Sequence, residues 1–173
     1  MKMLVKALAL SAGIMVLSTS FAATVVVNMY QTALKGTGPS IGTVTLTDST
    51  YGMLIQPNLH GLSPGAHGFH VHTNPDCSNN GLAAGDHLDP QHTNQHSGPF
   101  NASGHLGDLP VLMVDKNGNT TTETLAPRLT VAQVLGHSLM IHANGDNYSD
   151  QPAANGGGGA RIACGVIAAS VQS

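Results

Sequence analysis

The sequence is poor in basic residues. Of its six lysines and arginines, two are Lys2 and Lys6, close to the amino terminus. Residues 23–173 then contain four basic residues against nine acidic ones, a formal charge of −5. This acidic balance argues against nucleic acid or an anionic membrane surface as a partner.

Long apolar runs are also scarce. One run, residues 4–17, follows Lys2 and Lys6 and precedes small residues that end at Ala22. The pattern predicts a secretory signal peptide over residues 1–22, and it leaves residues 23–173, enough for one domain with its own core. The run is too short to span a bilayer and no second run follows, so we predict no membrane association once the signal is cleaved.

Cysteine is limited to Cys77 and Cys164. An exported protein meets an oxidising compartment, in which a lone pair of cysteines is normally joined. We therefore predict a disulfide between them, which in the chain-entropy model stabilises the fold by about 4–5 kcal/mol for a loop of this length. Two separate buried thiols are the alternative.

Helical periodicity is absent from residues 23–173, apart from a single turn at 131–135. Short β-type runs recur instead between turn residues, at 24–30, 42–47, 52–59, 68–72, 109–115, 120–126, 138–143 and 162–168. Their number, spacing and alternation predict an all-β sandwich or barrel. Residues 73–107 and 144–160 lack this patterning and predict two long functional loops. The glycines at 156–159 have no Lys-Ser/Thr partner, so they do not form a phosphate-binding loop.

Histidine is abundant by contrast: all ten lie beyond the predicted signal, and eight fall between His60 and His105. A surface tract of solvated histidines and a metal site are the two interpretations of this density. His70 and His72 leave the same face of one β-type run, and His142 lies in a second run, 138–143, whose apolar alternation fixes one face inward. Three imidazoles from two strands predict a rigid, nitrogen-rich site for copper or zinc.

A second group of candidate ligands follows in the first long loop. His87, His96 and His105 recur at even intervals, and Asp108 comes three residues after His105. Three imidazoles and one carboxylate complete a closed tetrahedral zinc site. His87 comes first in this series and is placed to reach both groups, where an imidazolate with one ring nitrogen on each metal would couple them.

Several motifs resemble those of the copper-zinc superoxide dismutases. The segment GAHGFHVH at 65–72, with TNPDC behind it at 73–77, resembles their copper-binding strand and the cysteine that follows. GHLGDLP at 104–110 resembles the end of their zinc loop, and GGGGARIACGV at 156–166 resembles their active-site arginine and second cysteine. The motifs occur in the family's order, so the chain is identified as a member of its bacterial periplasmic branch.

The resemblance implies an eight-stranded Greek-key β-barrel or sandwich, immunoglobulin-like, that binds one copper and one zinc ion per subunit. It assigns copper to His70, His72, His87 and His142, and zinc to His87, His96, His105 and Asp108. Arg161 matches the guanidinium that attracts the anionic substrate. Asp146 matches the carboxylate that links a copper ligand to a zinc ligand. Bacterial members of the family use more than one oligomeric state, and a homodimer is one of them.

The activity that the resemblance implies is disproportionation of superoxide by Cu(II)/Cu(I) cycling, with His87 leaving copper and taking up a proton on reduction. A non-catalytic copper or zinc store and a purely structural β-domain are the alternatives. The store does not need Arg161, and the structural domain does not need eight histidines so placed. Relatives often carry lysines near the copper mouth, whereas the loop positions Gln91 and Gln95 are neutral here.

The remaining histidines have different expected roles. We expect His67 to hold backbone together by a buried hydrogen bond, and His60 and His137 to be structural or exposed. His92 lies inside the zinc loop and could compete with His96 for the metal. The sequence Ser97-Gly-Pro after His96 favours His96 as the ligand.

Overall fold

The computed structural model describes residues 22–171, so the predicted signal peptide lies outside the described residues except for Ala22. The regular structure is almost entirely β. Its elements, in chain order, are β1 Thr24–Thr32, β2 Thr37–Ser49, β3 Gly52–Leu59, β4 Gly65–His67, β5 Phe69–His72, β6 Leu112–Val114, β7 Thr124–Ala126, α1 Val131–Val134, β8 Ser138–His142 and β9 Arg161–Val166.

Seven strands form one antiparallel sheet in the order β5-β8-β9-β1-β2-β3-β7, and β4 pairs with β6 in a second, two-stranded sheet. The core is built by the alternation of side chains along the strands. In β1, Val25, Val27 and Met29 are buried while the residues between them face outwards. Most of the buried apolar residues form one core cluster, and a smaller cluster surrounds the two cysteines. The almost entirely β structure confirms the all-β prediction.

Each of the eight predicted β-type runs contains a strand, and one further strand was missed. β4 is separated from β5 only by Gly68, whose N–H donates to the carbonyl of Asn144 at 2.8 Å rather than to a neighbouring strand. The run predicted at 109–115 shortens to β6, because Pro110 has no N–H and the Val111 N–H donates to the hydroxyl of Tyr148 at 3.0 Å.

Helix is scarce, as the sequence predicts. The single turn α1 begins after Thr130, whose N–H donates to the side chain of Gln133 at 2.9 Å. Among residues 22–171, no helix is long and apolar enough to cross a membrane.

The first long loop, residues 73–111, folds back along the edge of β5. The N–H of Leu88 donates to Val71 O at 2.8 Å, and the N–H of Val71 donates to Gly107 O at 2.9 Å. A disulfide between Cys77 and Cys164 confirms the predicted bond and ties this loop to β9, with Cα atoms 5.7 Å apart. The second long loop, residues 143–160, connects β8 to β9 and lies over the first.

Candidate metal centre

The first histidine cluster consists of His70, His72, His87 and His142, whose candidate ligand atoms all lie within 4.8 Å of one another. In β5, Phe69 and Val71 belong to the apolar core, so the alternate residues His70 and His72 face away from it. His142 ends β8, the neighbour of β5, just after a register shift between Ile141 and His142. His87 reaches the cluster through an isolated β-bridge to His72.

Each ring of the first cluster has one nitrogen engaged and one left over. Gly85 O lies 2.8 Å from Nδ1 of His72, and Gly159 O lies 3.2 Å from Nδ1 of His142. Their Nε2 atoms lie 3.4 Å apart. In His70 the engaged nitrogen is Nε2, so Nδ1 is left buried and without a hydrogen-bond partner among the described residues. The hydrogen bond at one nitrogen therefore orients each ring so that its other nitrogen faces the centre of the cluster.

The second cluster consists of His87, His96, His105 and Asp108, and its candidate ligand atoms also lie within 4.8 Å of one another. Nδ1 of His87 and of His96 each lie 3.0 Å from Oδ1 of Asp108, and Nδ1 of His105 lies 3.4 Å from it. The contacts of His96 and His105 lack the alignment of hydrogen bonds, and both Nδ1 atoms are buried without a partner among the residues described. The four candidate ligand atoms thus converge, and the hydrogen bond between His87 and Asp108 is the one that the described residues form among them.

His87 belongs to both clusters. Its Nδ1 faces Asp108 in the second cluster, and its ring centroid lies 4.0 Å from that of His70 and 4.9 Å from that of His72 in the first. One imidazole therefore stands between the two groups of donors. The sequence placed His87 in this position from its order in the loop alone.

Asp146 links the clusters a second time, from the opposite side. Its Oδ2 lies 2.7 Å from Nε2 of His70, and its Oδ1 lies 2.8 Å from Nε2 of His96. These nitrogens are the ones that do not face the two convergence points. His70, His96 and Asp146 also lie close enough together to be a third ligand set, but the carboxylate here orients two rings.

The glycine run 156–159 gives this site its shape. Gly156 has a φ of 73°, and a Cβ at this position would collide with the carboxylate of Asp146. A Cβ at Gly158 would meet the ring of His142. The run is therefore more than flexible chain, because larger residues here would push the second loop off the histidines.

Burial keeps the first cluster neutral. It lowers the pKa of His70 to about 3 and that of His142 to about 4, and it also lowers the pKa of His72 and His87. Neighbouring imidazoles add to the effect, since one protonated ring disfavours another. At neutral pH these rings present lone pairs, which is the form that binds a metal.

In the second cluster, attraction between carboxylates and imidazoles outweighs the effect of burial. Burial opposes the charged form of His96, but the carboxylates of Asp108 and Asp146 on either side of the ring outweigh it and raise its pKa to about 9. Burial likewise opposes ionisation of Asp108, yet His105, His87 and His96 hold its pKa well below the usual range. The site therefore presents an ionised carboxylate as its single oxygen donor.

Arg161 begins β9 and lines a cavity of about 360 Å³ beside the first cluster. Its two terminal nitrogens donate to the carbonyls of Gly81 and Gly85, each at 2.7 Å. Both carbonyls belong to the loop that Cys77 tethers to β9. Of the described residues that line the cavity, only Arg161 carries a fixed charge, and its companions are His87, His142, Ala153, Ala154, Asn155, Gly157, Gly158 and Gly159.

The remaining histidines lie where the sequence analysis expected them. His67 is buried and joins two backbone carbonyls, with Nδ1 2.7 Å from His142 O and Nε2 2.8 Å from Ser63 O. His60 and His92 are exposed, and His137 is partly exposed with Nδ1 2.7 Å from Thr73 O. His92 is not grouped with either cluster.

The sequence analysis compared Gln91 and Gln95 with lysines that relatives carry near the copper mouth, but the structure places neither residue at the cavity of Arg161. Gln91 lies beside Asp89 and Arg128, in a pocket separate from the cavity of Arg161. Gln95 is exposed, and its carbonyl accepts the N–H of His105 at 2.8 Å. Neither residue lines the Arg161 cavity, because the loop turns both away from the first cluster.

The sequence analysis missed residues that join the two loops. Oδ2 of Asp150 accepts the N–H of His96 at 2.8 Å, and its Oδ1 accepts the N–H of Asn155 at 3.0 Å. A Cβ at Gly98 would collide with the ring of Tyr148. No motif marks these residues, because the two contacts between the loops join residues that are far apart in sequence.

Comparison with known proteins accounts for this arrangement. A family model described as "Copper/zinc superoxide dismutase (SODC)" matches residues 40–167. The chain belongs to this family. Copper-zinc superoxide dismutase 1 of Salmonella typhimurium strain LT2 is 51% identical to it over 170 residues, which cover 92% of this chain and 96% of that protein.

Solved structures of the family have the same fold. The copper/zinc superoxide dismutase of Brucella abortus superimposes with a TM-score of 0.79 at 44% identity, over 83% of this chain and 99% of that one. The monomeric copper, zinc superoxide dismutase of Salmonella enterica gives a TM-score of 0.74 at 47% identity, over 84% of this chain and 99% of that one. The Greek-key barrel expected from the sequence motifs is thereby confirmed.

The metals of the copper/zinc superoxide dismutase family fit the donors that this chain provides. The first cluster offers imidazole nitrogens alone, a set that suits copper, and the second offers three imidazoles and a carboxylate, a set that suits zinc. Three buried nitrogens, Nδ1 of His70, His96 and His105, have no hydrogen-bond partner among the described residues. Burying such atoms unpaired is costly, and a bound cation removes that cost.

Proposed function

We propose that this protein disproportionates superoxide, converting one superoxide to oxygen and a second, with two protons, to hydrogen peroxide. The observation that carries the proposal is the pair of donor clusters joined by His87 beside a cavity whose fixed charge is Arg161. Membership of the copper/zinc superoxide dismutase family supports it.

We assign copper to His70, His72, His87 and His142, and zinc to His87, His96, His105 and Asp108. When bound, copper supplies one-electron oxidation and reduction, and zinc supplies a fixed charge without changing valence. The convergence of the donor atoms and the unpaired Nδ1 atoms support the assignment. Asp146 fixes the rings of His70 and His96 through their Nε2 atoms, so that Nδ1 of each stays aimed at its cluster.

The side chains at the cavity have separate tasks. Arg161 attracts and orients the superoxide anion, because its guanidinium is held at the cavity wall by two backbone carbonyls. When Nε2 of His87 is not bound to copper, it can hold a proton and pass it towards the peroxide product, while Nδ1 remains on the side of Asp108. The glycines and alanines of the wall have small side chains or none, so they leave the cavity open to a small anion.

The alternative is a non-catalytic copper and zinc store, which needs the same histidines but not Arg161. The test is superoxide consumption by the metal-loaded protein, with and without cyanide as a copper ligand. We expect cyanide-sensitive activity in the wild type, and lower activity at unchanged metal content in Arg161→Gln. A fully loaded protein without activity would favour the store.

We further propose that residues 1–22 direct export to the periplasm and that the mature protein is not attached to the membrane. The charged start and apolar run of the signal support this, as does the oxidised cysteine pair. Cell fractionation and amino-terminal sequencing test it: we expect a soluble periplasmic protein that begins near Ala23. Full-length protein in the cytoplasm would contradict the proposal.

We propose that a homodimer, where it forms, contributes no side chain to the metal centre. All the candidate ligands and Arg161 come from one chain and meet within it. Sedimentation combined with activity measured over a dilution series tests this. Specific activity should stay constant through any dissociation, and activity lost with dissociation would overturn the proposal.

A further inference from the structure

Arg128 lies outside both clusters, between β7 and α1, yet its guanidinium reaches into the first long loop. NH2 donates to the carbonyl of Gly104 at 2.8 Å. NH1 is shared between the carbonyls of His105 at 3.2 Å and Gly98 at 3.4 Å. The three acceptors lie on either side of a turn in the loop segment that carries His96, His105 and Asp108.

These carbonyls depend on Arg128. Gly98 and Gly104 are buried, and no backbone N–H of the described residues donates to the carbonyl of either glycine or of His105. Nor does any carboxylate among the described residues lie within ion-pair distance of Arg128. A planar fork of donors can serve several carbonyls at once, which a lysine ammonium cannot do from one position.

The base of Arg128 is anchored in the barrel. Ala126 pairs with Met53 at the end of β7, and Leu129 is buried in the apolar core. The N–H of Val131 donates to Oδ1 of Asp48 on β2 at 2.7 Å. The guanidinium therefore joins a rigid part of the sheet to a loop that has no strand of its own.

We propose that Arg128 is a positioning residue for zinc: by holding the carbonyls of Gly98, Gly104 and His105, it keeps the ligands of the second cluster at their mutual distances. This inference rests on the assignment of that cluster to zinc. It goes beyond that assignment because Arg128 is neither a metal ligand nor a hydrogen-bond partner of any ligand side chain: it contacts only backbone carbonyls. The first cluster should hold copper without Arg128, since three of its four members, His70, His72 and His142, lie on β5 and β8.

The experiment compares zinc affinity in the copper-free wild type, in Arg128→Ala and in Lys116→Ala. Lys116→Ala is the matched control, because it removes one positive charge from an exposed residue. Chelator competition should show zinc bound about 10–100-fold more weakly by Arg128→Ala, the usual effect of losing an outer partner of a metal site. Copper affinity of the first cluster should be unchanged, and amide hydrogen exchange should accelerate at residues 98–105 but not in the barrel strands.

Two further measurements separate positioning from general stability. Added ethylguanidinium should restore zinc affinity to Arg128→Ala, since it can refill the space and the donor positions. If Arg128→Ala does not fold, Arg128→Lys replaces it, and we expect weakened zinc binding because an ammonium lacks the fork. Wild-type zinc affinity in the variant that folds, or an equal loss of copper affinity, would overturn the inference. If the wild type itself binds no zinc at the second cluster, the assignment of that cluster to zinc fails, and not the role of Arg128.

Discussion

At the scale of single residues, His96 is the most unusual group, because a carboxylate stands on each side of its ring. In the absence of metal its pKa of about 9 means that both ring nitrogens carry a proton at neutral pH, and the ring is positively charged. Zinc needs the lone pair of Nδ1, so the proton on Nδ1 must leave when zinc binds. Because the paired carboxylates raise this pKa, the affinity for zinc depends on pH.

We predict that the zinc affinity of the copper-free protein rises with pH up to about pH 9. Below the pKa of His96 each pH unit should contribute up to about tenfold, because the protonated fraction that competes with zinc falls tenfold. Chelator competition at several pH values, with proton release measured in parallel, checks this. Asp146→Asn removes one flanking carboxylate and should shift the window to lower pH. Constant affinity between pH 7 and 9 would contradict the prediction.

The ligand assignment gives a second prediction at this scale. His105→Ala or Asp108→Ala should empty the second cluster of zinc, because three donors remain where four converge, while His70, His72 and His142 still hold copper. Metal analysis of each purified variant checks this. His92→Ala is the control and should change neither metal content nor activity, because His92 is exposed and outside both clusters. A full zinc equivalent in both ligand variants would refute the assignment.

At the scale of elements, the metal centre depends on two loops held to one rigid pair of strands. β5 and β8 supply three histidines directly, whereas the other candidate ligands sit on the first loop. The disulfide, Arg128 and Asp150 are the contacts that hold the loops in place. None of these tethers is a candidate ligand. Removing one should nevertheless lower metal affinity or activity, because the ligands on the loops would no longer be held at their mutual distances.

The disulfide provides the prediction at this scale. Replacing Cys77 and Cys164 together by serine should lower the free energy of unfolding by about 2–5 kcal/mol, the usual range for a native bond. It should also lower activity, because the carbonyls of Gly81 and Gly85 that hold Arg161 belong to the tethered loop. Denaturant unfolding and activity at full metal loading measure the two effects. Full activity in the doubly substituted, metal-loaded protein would show that Arg161 does not need the tether.

At the scale of the whole molecule, residues 23–173, the proposed mature chain, carry a formal charge of −5 and must attract an anion. Most acidic residues are scattered over the surface, whereas Arg161 lies at the cavity itself. A local positive focus raises association rates by about 10–1000-fold, and salt screens it over ~8–10 Å. Since the incoming anion is closer to Arg161 and the metals than to most of the acids, the focus should outweigh the net charge.

We predict that activity falls as ionic strength rises, and that Arg161→Ala lowers activity and flattens this dependence. Ala154→Lys should raise the rate at low salt, because Ala154 is exposed and lines the cavity. Gln91→Lys is the matched control with the same added charge in a different pocket, and it should have a smaller effect. Rates from pulse radiolysis over a salt series provide the measurement. A rate that climbs with salt in the wild type would mean that the net charge dominates.

The sequence by itself determined the fold class, the disulfide and the identity of the candidate ligands. The fold class follows from local information, because alternation of apolar residues sets which faces of β1 or β5 are buried, and the His-x-His pair of β5 shares one face whatever surrounds it. The full set of candidate ligands came instead from motifs that resemble those of the copper-zinc superoxide dismutases. Only the tertiary structure decided which nitrogen of each ring is free and why Gly156 has no side chain. It also decided that Gln91 faces away from the cavity and that Arg128 and Asp150 hold the loops. These properties depend on contacts between segments far apart in the chain, and neither periodicity nor spacing along one segment carries that information.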